Sequence, residues 1–131
     1  MQFAFPRGTS AIGVSATHVY YRYESWVYRM ELETLKVQRF GDGPIYNVFI
    51  YANGDAGLNL GGCTTYYASD GSRLSGPRSQ LFAKWDTHPD YFVCWSDGKG
   101  WRLHKETGRT RERFRRLMRD EVLRRRIETF L

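Results

Sequence analysis

The first thiol in this chain is a cysteine behind two glycines. Cys63 closes the string LNLGGC and opens TTYYASDG. A thiolate on a tight glycine turn is well placed to attack, and His18, His88 or His104 would be its base. Gly61 and Gly62 serve equally well to bend the chain ahead of a strand that starts at Cys63. No spacing ties one of the histidines to this thiol. The second string is DTHPD, with His88 between Asp86 and Asp90. Alternating carboxylate and imidazole can hold a metal weakly, but Asp ahead of proline is also ordinary turn chemistry. SDGKG has the opening of a calcium loop without its closing Glu. The chain has no GxxxxGK[ST], no GxGxxG behind a strand, no HExxH and no GxSxG. The sequence therefore predicts no catalytic residue, no metal ligand and no cofactor. A cysteine-dependent enzyme built on Cys63 is the second alternative.

The stronger chemical signal is charge. The chain carries 20 Lys+Arg against 14 Asp+Glu, a net charge of +6. Residues 1–96 hold eight of each sign, so the whole excess belongs to residues 97–131. A neutral body with one basic end predicts a localised anionic partner. From Arg109 to Leu131, nine residues are arginine. At about 100° per residue, an α-helix over 109–131 places Arg115, Arg116, Arg119 and Arg126 on one arc. Phe114, Leu117, Met118 and Val122 fall on the opposite side, a stripe suited to docking on a sheet. Four guanidiniums on one arc can track phosphates. Glu112, Asp120 and Glu121 lie on or beside that arc and neutralise part of it, so a plain solvated helix face competes with the phosphate reading. Leu123, Ile127 and Phe130 form a further apolar stripe that one straight helix cannot bury on the same sheet; either the helix bends or breaks near Asp120–Val122, or the stripe is a protein interface or a homodimer contact. Lys99, Arg102 and Lys105 are expected to extend the basic surface.

Those residues need elements to position them. At 131 residues the chain fits one domain, and 41% apolar with 16% aromatic content supports a packed core. Residues 1–17 read as an irregular arm or a short edge element. HVYYRYE is dense in strand-forming residues. In WVYRMELE, Trp26, Tyr28, Met30 and Leu32 alternate with Arg29, Glu31 and Glu33, a strand with one wet face. IYNVFIYA is apolar on both faces and reads as a central, doubly covered strand. CTTYYA and LFAKW are shorter strands. Tyr91–Trp95 and Trp101–Lys105 flank the glycine-containing loop 96–100, a hairpin in which Trp95 and Trp101 pair across the strands. Cys63 and Cys94 both fall on strands, too few and too far apart for a disulfide framework. Tyr20, Tyr21, Tyr23, Trp26 and Tyr28 lie among Arg22 and Arg29, a pattern that is core in most sheets and a base-stacking platform in a few. The start lacks the basic and apolar regions of a signal peptide, and no run is long enough to span a membrane; a cytoplasmic protein without membrane contact is expected.

The expected fold is α+β, a single domain over 1–131. It has an arm at 1–17, a twisted antiparallel sheet of about five to seven strands over 18–105 and one Arg-rich helix at 109–131. The expected function is non-catalytic binding to nucleic acid or to nucleic-acid-processing machinery. Arg115, Arg116, Arg119, Arg126, Lys99, Arg102 and Lys105 would be the contact surface. The first alternative is an inhibitor or adaptor that binds a host protein complex through Leu123, Ile127 and Phe130. Small size, an aromatic-rich sheet and absent motifs are traits of many phage and mobile-element proteins of that type.

Overall fold

The computed structural model describes residues 2–41, 43–85 and 87–105. Among these residues it holds eleven strands and no helix, in three antiparallel sheets. The first sheet joins β1 (Gln2–Ala4) to β11 (Gly100–Lys105) and β10 (Tyr91–Ser96). The second is a meander of β2 (Ser10–Val14), β3 (His18–Tyr23), β4 (Trp26–Glu31) and β5 (Val37–Phe40). The third repeats that order with β6 (Asn47–Ile50), β7 (Ala56–Asn59), β8 (Thr64–Tyr67) and β9 (Arg73–Leu74). The expected α+β layout of one sheet and one helix is thus corrected for the described residues: it is all-β there, and the expected helix at 109–131 lies outside them. The physical cause is turn chemistry. Strands of two to six residues reverse before any one sheet can widen. Gly54 makes the β6–β7 reversal and Gly41 opens the crossing from the second sheet to the third, at φ of +96° and +94°. Side chains there would also collide, with a Cβ 2.8 Å from Leu58 Cδ1 at Gly41 and 2.9 Å from Ser69 Cβ at Gly54. Residues 1–17, expected as an irregular arm or short edge element, carry β1 and β2.

The β2–β5 sheet is the middle layer. Val19, Tyr21, Met30 and Leu32 pack on Tyr91, Val93 and Leu103 of the first sheet. Tyr20, Val27 and Phe40 pack on Ile45, Ile50, Ala56 and Leu58 of the third. Period two holds as expected from Trp26 to Leu32, but the second face is not wet throughout. Arg29 is buried on it, because the third sheet covers it. The doubly covered strand is consequently β3, with Val19, Tyr20 and Tyr21 all buried, whereas β6 keeps Asn47 exposed. LFAKW contributes a single bridge, Phe82 to Tyr51. The β10–β11 hairpin forms, with Trp95 directly opposite Trp101 and their rings edge to face at 5.6 Å.

The three sheets run in step, so the molecule has two ends. Ile45 N donates to Ser25 O at one end, and Tyr20 Oη donates to Gly54 O at the other. Tyr91 Oη bonds Leu32 O, and Phe5 N bonds Trp101 O, which fixes the first sheet in the same sense. The turns at Glu24–Ser25, 60–63 and 97–99 share the first end. Those at 15–17, 32–36, 51–55 and 68–72 share the second.

Candidate functional site

Arg115, Arg116, Arg119 and Arg126, with Leu123, Ile127 and Phe130, lie outside the described residues. The three hairpin cations lie inside and do not converge. Lys99 is exposed in the β10–β11 turn. Arg102 is half-buried, paired with Cys94 in mid-strand. Lys105 ends the strand, on the opposite face by alternation, with Nζ 5.6 Å from the centre of the Tyr91 ring. At about 3.3 Å per residue, Lys99 and Lys105 stand some 20 Å apart.

The cations that do gather with aromatics surround the β3–β4 hairpin. Arg39 reaches that group through β5, where it pairs with Tyr28. Its guanidinium lies 4.0 Å from the centre of the Trp26 ring. Tyr28 stacks on Tyr21 at 5.6 Å and meets Tyr23 at 6.5 Å. Tyr21 is buried against the first sheet; Tyr23 and Tyr28 are half-buried and pack against the same core, and Trp26 is half-buried. The tyrosine and tryptophan run is thus split, with Tyr20 and Tyr21 in the core and the others partly open. On the other side of the hairpin, Arg22 Nη1 approaches Tyr46 O at 3.5 Å, and the Tyr46 side chain is 73% exposed. Among the described residues neither Arg22 nor Arg39 has a carboxylate within 4.0 Å; the ion pair they show is Arg78–Asp55. Glu24, exposed in the turn with φ of 57°, is an acid of the same hairpin, and Asp97 lies in the β10–β11 turn at the same end. Such a corner can stack planar groups and pair with anions.

The second end is opposite in character. A cleft of about 800 Å³ opens there, lined by His18, Glu31, Glu33, Asp70, His88 and Asp90, among others, and by no lysine or arginine of the described residues. His18 stands across from Glu31 in the ladder, and its Nδ1 meets Thr17 Oγ1 at 2.8 Å. Burial, then the charge of Arg29, holds the His18 imidazole below its usual range. His88 Nδ1 accepts from the backbone N–H groups of Asp90 and Tyr91, so its neutral ring carries the proton on Nε2. Asp70 accepts two hydrogen bonds from Ser72, which hold its carboxyl below the usual range. Four carboxylates without a lining cation repel phosphate and favour cationic groups. No cluster of three or more His, Cys, Asp or Glu with metal-binding geometry is present among the described residues.

Cys63 is exposed in the turn before β8 and makes no hydrogen bond to a histidine among the described residues. Cys94 sits on β10 as expected, fully buried, and burial pushes its thiol up to about 11. Iodoacetamide at neutral pH should therefore modify one thiol in the folded protein, at Cys63, and the second only after unfolding. Mass spectrometry before and after urea checks this, and alkylation of Cys94 in the native state would contradict it.

Arg39 and Tyr46 were not legible as site residues. Each is an isolated residue in sequence, and only the strand ladder brings them to Trp26 and Arg22. The cleft draws on five separate segments, with no local signature at all. No helix of the described residues is long and apolar enough to cross a membrane. The chain matches no protein-family model, no curated protein and no solved structure.

Proposed function

We propose that this chain is a non-catalytic, cytoplasmic binding protein that holds nucleic acid at the β3–β4 end of its middle sheet. The observation that carries the reading is Arg39 stacked on Trp26 beside Tyr23 and Tyr28, with no carboxylate partner among the described residues. An arginine on an aromatic face without an ion pair is prepared for a phosphate, and a half-exposed tryptophan beneath it suits a base. The charge excess of residues 97–131 adds long-range attraction whatever surface carries it. The acidic cleft at the other end would turn a polyanion away, which gives the molecule one binding pole. Fluorescence anisotropy of labelled oligonucleotides across about 50–300 mM salt is the test. Affinity should fall with salt on a log–log slope of several units. The double variant Arg22→Glu/Arg39→Glu should weaken binding at least about tenfold and flatten the slope by about two. An unchanged affinity and slope in that variant would overturn the assignment of the pole.

A second reading has its own observation. Leu81, Phe82 and Trp85 are 73%, 53% and 39% exposed and lie within five residues of one another. A ridge of that kind suits an adaptor or inhibitor that docks on a protein complex, as many phage and mobile-element proteins do. Absence of any nucleic-acid affinity at low salt, with complex formation lost in Phe82→Ser, would favour it.

A further inference from the structure

We infer that the nucleic acid taken by the β3–β4 end is single-stranded, with an unpaired base stacked against the Trp26–Arg39 pair; this rests on the reading above. The aromatic faces decide the matter. Trp26 is half-open at the hairpin end, beside Tyr23 and Tyr28, which are half-buried against the core that holds Tyr21. Ring faces recognise base faces, and in a duplex those faces are already stacked on their neighbours and only base edges are open. The cation already lying on Trp26, at 4.0 Å, extends the planar surface and places a positive charge where the sugar-phosphate chain of a stacked nucleotide passes. Arg22 stands on the other face of the same hairpin, beside exposed Tyr46. Each face of the hairpin thus carries a guanidinium beside an aromatic.

Duplex docking fits less well. A two-stranded ribbon can enter a major groove, but this one would lead with Glu24, the exposed carboxylate of its tip. That charge would enter between two rows of phosphates. A single strand laid along the Trp26–Arg39 face keeps its phosphates on Arg39 without passing over the Glu24 tip.

The full chain should be titrated at one fixed salt concentration with a labelled oligothymidylate of about ten nucleotides and with a blunt duplex of equal length. Tighter binding of the single strand by about tenfold or more is the expected result, with tryptophan fluorescence quenched on binding. Trp26→Ala should lose about tenfold or more for the single strand and little for the duplex, while Trp26→Phe keeps most of the affinity and reports on folding. Equal or tighter duplex binding, or a Trp26→Ala protein with unchanged single-strand affinity, overturns this inference and leaves nucleic-acid binding standing. No binding of either form overturns both.

Discussion

Replacing Arg29 with alanine should lower the unfolding free energy by about 2–4 kcal/mol. Arg29 is 7% exposed, yet no carboxylate lies within 4.0 Å of it among the described residues. Its charge is held instead by dipoles and a ring. Nη1 donates to Ser69 O at 2.7 Å. With the Gln38 amide oxygen turned inward, that oxygen accepts from Nε and Nη2 at 2.7 Å each. The guanidinium carbon lies 4.7 Å from the centre of the Phe40 ring. Arg29 therefore fastens the middle sheet to the Ser69 turn of the third sheet. Truncation removes the donors and opens a void next to Phe40. Arg29→Met refills most of the void without restoring the donors, so its loss should be about half as large. Arg73→Ala, at an exposed position, should stay within about 0.5 kcal/mol of the parent. Urea midpoints at constant slope measure all three. If the alanine and methionine variants both match the Arg73 control, Arg29 is not a fastener.

The second large effect belongs to Asp55 and Arg78. Asp55 is buried, and Arg78 grips it in a fork, Nη2 to Oδ1 at 2.7 Å and Nε to Oδ2 at 3.0 Å. Asn53 Nδ2 adds a bond to Oδ2, and Tyr51 N donates to the Asp55 backbone. Arg78→Ala should cost about 2–3 kcal/mol at pH 7, because a buried carboxylate then keeps one weak side-chain donor. Half of the Arg78 side chain is in water, so the cost falls short of that for a fully buried pair. The pH dependence follows in sign. Arg78 holds the Asp55 carboxyl below its usual range. Its contribution is whole above the unfolded value of about 3.9 and is lost as pH falls through the lower folded value. His18 acts in the same direction for a different reason: burial first, then Arg29, lowers its folded value, so its contribution is whole above about 6.5 and declines below that. Stability should then drop in two stages on acidification. His18→Gln should remove the first stage, which sets in below about pH 6.5, and Arg78→Ala the second, which sets in below about pH 4. Urea midpoints at pH 7, 5 and 3 separate them. A parent protein with a flat profile from pH 7 to 5 would count against the His18 assignment.

Much of the local order was legible. The period of two from Trp26 to Leu32 put Met30 and Leu32 in one core because alternation is a property of the pleat itself. The Trp95–Trp101 pairing followed from a glycine loop between two β-rich runs, since turn length fixes hairpin register.

Arg29 marks where local reading stopped. Alternation assigns it to a face but does not say what covers that face, and charge then argued for water. The covering sheet starts some twenty residues later in the chain, and its choice of partner is a matter of packed area, not of period. The same holds for the candidate pole. Trp26 and Arg22 were visible as an aromatic and a cation, but Arg39 joins them only through the β4–β5 ladder, and Tyr46 only through the loop beyond it. Sequence by itself indicated β3, β4, β6, β8 and the β10–β11 hairpin, with the turns beside them, and the imbalance of charge, because these depend on neighbours within a few residues; β7 and β9 carried no such local signal. The tertiary structure alone decided that the strands make three layers, that one arginine is interior, and that two others meet aromatics at one end while carboxylates line the other. Those outcomes depend on which sheets share a face and in what register, and such contacts join residues far apart in the chain.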